Sequence, residues 1–180
     1  MKIIYHCFGG SHSSVTAAAI HLGLLSTDRL PTAEELMKVP YFDKTPGEIY
    51  GVIRYMGQTQ DGHQVYVLGK KNLGRRMNRI FIGLAELLGM EREIVVTNTM
   101  PYVNILMMLG GYLSRRWGLT FPGRAILIWG TRLAFPALAD LVRQTRLKTI
   151  PGGGENEDYP SGDHGGASPP GCGPRVSGHN

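Results

Sequence analysis

Cysteine is scarce in this chain of 180 residues, which contains only Cys7 and Cys172. Cys7 lies in an apolar run and Cys172 in a polar tail, so the pair cannot provide the disulfide framework of a small secreted domain. This usage favours a reducing compartment. We therefore expect a cytoplasmic protein.

Targeting signals and long hydrophobic runs are also lacking. The first apolar run is too short for a signal peptide, because polar residues begin at Gly9. The longest apolar stretch, Met100 to Leu113, is interrupted by Asn104 and by two glycines. It falls short of the roughly 18 residues that cross a bilayer. We expect neither secretion nor a membrane partner.

Several motifs that identify an enzyme class are missing. No Walker A pattern, CxxC or HExxH occurs in the sequence. His6, Cys7, His12 and His21 have no recognised ligand spacing. The sequence therefore predicts no metal site and indicates no particular cofactor.

Charge is unevenly distributed along the chain. The formal net charge is +5, yet the residues after Ile150 contain four acidic side chains and only one basic side chain, Arg175. The excess of positive charge therefore lies before the tail. A basic body suits an anionic partner such as a phosphate ester, a nucleotide, nucleic acid or an acidic membrane, although it could equally be an ordinary solvated surface.

Apolar periodicity predicts an α/β domain over residues 1–150. Strands are expected at residues 2–8, 51–56, 64–68, 93–97 and 125–129, with a hairpin turn at Asp61–Gly62. Helices are expected after Ser13 or Ser14, after Thr32 with Glu35 in a capping box, and over residues 75–88, 102–117 and 133–147. This order predicts a three-layer fold with a mostly parallel sheet and an antiparallel hairpin excursion. Residues 151–180 are rich in glycine and proline and are predicted to be disordered.

Small polar residues follow three predicted strands. The first strand leads into residues 7–14, the second into residues 97–99 and the third into residues 130–132. In open α/β sheets, ligands bind beyond the carboxyl ends of the strands. We therefore expect these segments to surround one site.

The turn after the first strand has the composition of a P-loop-like anion cradle. Glycines allow backbone N–H groups to approach a ligand, and a helix N-terminus adds unpaired donors. An ordinary serine-capped turn is the simpler alternative. The predicted anion-binding residues are Gly9, Gly10, Ser11, Ser13, Ser14, Asn98, Thr131 and Arg132.

Cys7 and His12 are the candidate catalytic residues. A thiol near a helix N-terminus has a lowered pKa and could act as a nucleophile, although a cysteine in a strand is more often a small core residue. His12 could act as an acid/base, since imidazole titrates near neutral pH.

The turn resembles two known phosphate loops. Cys7, Gly10, Ser13 and Ser14 are similar to the outline of phosphotransferase-system IIB domains. The turn also resembles the loop of low-molecular-weight tyrosine phosphatases, but Ser13 stands where those enzymes need arginine. Each resemblance covers about a dozen residues.

A broader resemblance covers nearly the whole domain. The segments IIYHCFGGSHSSVTAAAIHLG, VYVLG, GGYLSRRWGL and GRAILIWGTR resemble the domain of unknown function 3189 of spore-forming Gram-positive bacteria. The resemblance implies a bacterial cytoplasmic protein and supplies no activity or catalytic residue.

These patterns lead to one main hypothesis. The turn is expected to bind a phosphorylated small molecule or nucleotide, with phosphoryl-transfer or hydrolytic chemistry as an added possibility. The alternative is a non-enzymatic regulatory or binding module. Nucleic-acid binding through Lys70 to Arg79 ranks last, because no recognised module or aromatic platform accompanies those basic residues. The oligomeric state is left open.

Overall fold

The computed structural model describes residues 1–44, 50–74, 76–116 and 120–150. The predicted disordered tail, residues 151–180, lies outside them. The described chain contains four strands and five α-helices. They are β1 (Lys2–Cys7), α1 (Ser13–His21), α2 (Ala33–Lys38), β2 (Ile53–Gln58), β3 (Gln64–Gly69), α3 (Arg76–Leu87), β4 (Ile94–Asn98), α4 (Ile105–Arg116) and α5 (Thr120–Leu147).

The four strands form one mixed sheet in the order β2-β3-β1-β4. β1 is parallel to both of its neighbours, whereas β2 and β3 form an antiparallel pair. The hairpin predicted around Asp61–Gly62 is therefore present. It is more than an excursion at the edge, because β3 lies inside the sheet beside β1 and only the β2 strand of the hairpin lies at an edge.

Successive residues of β1 pack into two different clusters. Ile3 and Tyr5 belong to the larger hydrophobic cluster, together with residues of α1 and α5 such as Val15 and Leu138. Ile4 belongs to a smaller cluster with Met77 of α3. This division follows from the strand period of two, which points neighbouring side chains to opposite faces.

The predicted strand at residues 125–129 is wrong, because this segment is part of the long helix α5. A continuous apolar run cannot be assigned to strand or helix by periodicity alone. Glycines favour the helical arrangement here. A Cβ on Gly110 would meet the backbone of Leu127, and a Cβ on Gly130 would lie 2.6 Å from the backbone nitrogen of Met107. These glycines allow α4 and α5 to pack closely.

Helix α5 contains one stretch, Phe121–Leu147, that is long and apolar enough to cross a membrane by length and composition. The core helix of a soluble protein can pass the same test, so the finding is weak evidence for a membrane span. Five residues of this stretch are buried in the larger cluster: Leu127, Ala134, Phe135, Leu138 and Val142. Pro136 lies inside this helix.

Candidate functional site

A cavity of about 780 Å³ lies beside the turn between β1 and α1. Its lining includes Cys7 at the end of β1, Gly9 and His12 of the turn, and Ser13 at the start of α1. Because β1, β3 and β4 are parallel, their carboxyl ends meet at this edge of the sheet. The cavity therefore has the position at which open α/β sheets bind ligands.

The sulfur of Cys7 is surrounded by hydrogen-bond donors. The backbone N–H of Gly10 donates to Sγ at 3.0 Å, and the Ser14 hydroxyl lies 3.2 Å from the same atom. Burial raises the pKa of this thiol, but hydrogen bonds from Ser14, Ser13 and Gly10 outweigh burial and bring the pKa below its ordinary value. A lowered pKa increases the fraction of nucleophilic thiolate.

The serines of α1 are not helix caps, contrary to the prediction. His12 occupies the N-cap position and makes no side-chain capping bond. The Ser13 hydroxyl instead lies 2.9 Å from the Thr99 hydroxyl, which donates to the His6 carbonyl. The two serine side chains therefore connect the turn to the end of β4 and to the Cys7 sulfur.

His12 is held by a buried carboxylate that the sequence did not indicate. Its Nε2 lies 3.3 Å from Oδ1 of Asp43. The other oxygen of Asp43 accepts hydrogen bonds from Ser114 at 2.7 Å and from Nε of Arg124 at 2.9 Å. Burial raises the pKa of Asp43, but the bonds from His12, Arg124 and Ser114 dominate and lower it to about 2. The carboxylate is therefore ionised near neutral pH.

Two buried basic residues, Arg54 and Lys70, lie close to the turn. Arg54 is buried, donates to the Gly10 carbonyl and lies over the Tyr41 ring, with 4.7 Å between its Cζ and the ring centroid. Lys70 is also buried, and its Nζ donates to Asn98 at 3.1 Å. Both bring positive charge to this edge of the sheet.

The turn must also approach β3 closely. Gly10 has a φ of +65°, and a Cβ at this position would lie 2.6 Å from the backbone nitrogen of Gly69. A side chain would therefore have to displace either the turn or the strand. This contact gives a physical reason for glycine at position 10.

The structure brings some of the predicted site residues together and places others elsewhere. Cys7, Gly9, His12 and Ser13 line the cavity. Four other predicted residues support the turn or its surroundings without lining the cavity: Gly10, Ser11, Ser14 and Asn98.

Thr131 and Arg132 lie within α5 instead of beyond a strand end. Thr131 is buried and its hydroxyl donates to the Leu127 carbonyl, while Arg132 is exposed. Neither lines the cavity. The structural reason for including them in the site, a strand ending at residue 129, is therefore gone.

Asp43, Arg54 and Arg124 were not among the residues predicted from the sequence. Asp43 follows α2 with a φ of 51°, Arg54 belongs to β2, and Arg124 lies in α5. No local pattern marks them, because each reaches the site through long-range packing. Within the residues that the structure describes, no group of three or more His, Cys, Asp or Glu side chains could hold a metal ion.

Together, the sheet, the turn and the cavity define an α/β protein with a donor-surrounded cysteine at the carboxyl ends of parallel strands. The chain belongs to the family described as Protein of unknown function (DUF3189), whose sequence model matches residues 2–147. The resemblance noted in the sequence is thereby confirmed. Comparisons with curated proteins and with solved structures gave no match.

Proposed function

We propose that this protein binds a phosphorylated small molecule or nucleotide at the turn between β1 and α1 and transfers or hydrolyses its phosphoryl group through Cys7. The observation that carries the proposal is the placement of the Cys7 sulfur among the donors of Gly10 and Ser14 at the cavity wall. Such donors stabilise a thiolate, and the adjacent helix N-terminus favours a bound phosphate.

The proposed reaction begins with attack of the Cys7 thiolate on phosphorus. The S–P bond forms as the P–O ester bond breaks, and the departing alkoxide takes a proton from protonated His12. Water then attacks phosphorus, gives a proton to His12 and releases phosphate and the thiolate. The Asp43 carboxylate, 3.3 Å from His12, would orient the ring and stabilise its charged form.

A non-enzymatic binding module is the second candidate. It is favoured by the limited exposure of Cys7, which is only 5% accessible. It is also favoured by Ser13, which stands where a phosphatase of similar outline has arginine. In this alternative the same turn binds the anion, and His12 contributes only a hydrogen bond.

The substitution His12→Ala separates the two candidates. For an enzyme we expect turnover of a phosphate monoester to fall about 10²- to 10⁴-fold with little change in affinity. For a binding module, phosphate affinity measured by calorimetry should fall modestly and wild-type turnover should be absent. His63→Ala, in the loop before β3, is the control. Absence of both phosphate binding and turnover in the wild type would reject both candidates.

We further propose a bacterial cytoplasmic setting and a sheet enclosed between two helical layers. The scarcity of cysteine supports the setting. The packing of Ile3 with α1 and α5, and of Ile4 with α3, supports the layered arrangement.

A further inference from the structure

The cavity has two chemically different parts. Polar groups of the turn surround Cys7 at one side. The remaining wall is largely apolar, and its members come from the turn, a residue before β2, the segment before α4, and α4 itself. They include Phe8, Tyr50, Met100, Val103, Met108 and Tyr112.

Most polar side chains that line the cavity already have partners within the protein. Ser13 is bonded to Thr99, and Ser114 to Asp43. Lys44 donates to the Met37 carbonyl at 2.7 Å. To donate to a ligand rich in hydroxyl groups, the Ser13 and Ser114 hydroxyls would have to give up their existing bonds. Burying an unsatisfied polar group costs about 1–3 kcal/mol, so a sugar-like ligand body is disfavoured against this wall.

The apolar wall is open to a ligand. Phe8 is 44% exposed, Met108 is 64% exposed and Tyr112 is 52% exposed. Phe8 and Tyr50 pack edge to face, with 5.9 Å between ring centroids. Thioether and aromatic side chains make favourable contacts with aromatic ligands, and methionine adapts to irregular shapes.

We infer that the ligand of this site is a phosphate ester of an apolar, aromatic alcohol, and that sugar phosphates are discriminated against. This inference rests on the proposed function, since it assigns the phosphate to the turn. The wall formed by Phe8, Met108 and Tyr112 would receive the aromatic part. Specificity would come from burying apolar area, which contributes about 25 cal/mol per Å².

Three phosphonates test the inference, because their C–P bond is not hydrolysed. Methylphosphonate carries only the anion, 2-hydroxyethylphosphonate adds a polar body, and naphthylmethylphosphonate adds an aromatic body. Each is titrated against iodoacetamide labelling of Cys7 in the full chain, and peptide mass spectrometry separates this label from that on Cys172. We expect naphthylmethylphosphonate to half-protect Cys7 at a concentration at least about 10-fold lower than either of the others.

A matched pair of variants locates the aromatic part. Met108→Ser should reduce the advantage of naphthylmethylphosphonate over methylphosphonate several-fold. Leu133→Ser removes an apolar side chain of similar exposure, 58%, that does not line the cavity, and should preserve the advantage.

Equal protection by all three phosphonates would overturn the aromatic inference and leave phosphate binding intact. An equal effect of the two variants would overturn the assignment to this wall. Failure of every phosphonate and of phosphate to protect Cys7 would instead reject the proposed function.

Discussion

Cys7 and His6 are neighbours at the end of β1, and both are buried, but their side chains meet different surroundings. The Cys7 sulfur lies within hydrogen-bonding distance of the Gly10 N–H and the Ser14 hydroxyl, and it borders the cavity. His6 bonds to Asn78 at 2.6 Å, while burial and the charge of Lys70 lower its pKa to about 4. Burial opposes charge on both groups. Hydrogen-bond donors favour the thiolate anion of Cys7 on one face of β1. The positive charge of Lys70 disfavours the protonated form of His6 on the other face.

This end of β1 is therefore electropositive. Lys70 disfavours protonation of His6 and is itself buried. An anion bound beside Cys7 would be attracted by the same field. The same positive charge therefore acts on His6 and on the anion site proposed on the opposite face.

The largest expected effect is a loss of stability from a substitution in the turn between β1 and α1. Gly10→Ala adds a Cβ against the backbone of Gly69 in a left-handed conformation, so both overpacking and backbone strain act. We expect a loss of about 2–5 kcal/mol in the free energy of unfolding, measured with urea. Gly23→Ala is the control, because its φ is +72° but nothing lies within 4 Å of the added atom. Equal losses in both variants would contradict the close contact with β3.

The next effect concerns the His6 face. The pKa of His6 is lowered in the folded protein. His6 therefore takes up a proton below about pH 6.5 in the unfolded chain but only near pH 4 in the folded protein. Stability is therefore retained above pH 6.5 and lost as the pH falls towards 4, by up to about 3 kcal/mol. His21, whose burial also lowers its pKa to about 4, adds a similar slope.

The variant His6→Gln tests this contribution by urea unfolding at pH 7 and pH 4.5. It should lose less stability between these two values than the wild type loses. An unchanged loss in His6→Gln would show that His6 does not titrate as a buried neutral ring.

Asp43, which lines the cavity, should affect the stability of the protein at lower pH than His6 does. Its pKa is about 2 in the folded protein, against an ordinary value of 3.8. It therefore contributes about 2 kcal/mol that is present above pH 4 and is lost as the pH falls towards 2.

Accordingly, Asp43→Asn should destabilise the protein by about 2 kcal/mol at pH 7, and its stability should approach that of the wild type near pH 2. Asp140→Asn breaks an exposed ion pair with Arg143 and should have a much smaller effect. If both substitutions had the same small effect at pH 7, Asp43 would not hold the network of His12, Ser114 and Arg124.

The smallest predicted effect is on the reactivity of Cys7. Ser14→Ala removes a hydroxyl 3.2 Å from the sulfur and should slow iodoacetamide labelling at pH 7 by about 10-fold or more. Ser11→Ala provides the control, since the Ser11 hydroxyl donates to the Gly9 carbonyl. Equal rates in both variants would mean that Ser14 does not stabilise the thiolate.

Much of the first half of the fold could be predicted from local patterns. The first strand and its glycine turn, the Thr32 and Glu35 capping box, and the hairpin around Asp61–Gly62 are all observed. Each depends on residues within a few positions of one another, so their signals are present in short segments of sequence.

Long-range packing explains what could not be predicted. The run at residues 125–129 is helical because its neighbour α4 offers Gly110 for close contact, which the run itself does not reveal. Asp43 and Arg124 are 81 positions apart and meet only in the folded chain. The turn of the candidate site was therefore predictable, whereas the network that holds His12 was not.

The pH profile of Cys7 alkylation is a direct test of whether the turn holds a thiolate. Labelling of full-length protein with iodoacetamide is followed at Cys7 by peptide mass spectrometry, with and without saturating phosphate. A thiolate held in the turn should give an inflection below the ordinary thiol pKa of about 8.5, and labelling should be slower when phosphate is present. An inflection at or above that value, with no protection by phosphate, would contradict a thiolate held in an anion-binding turn.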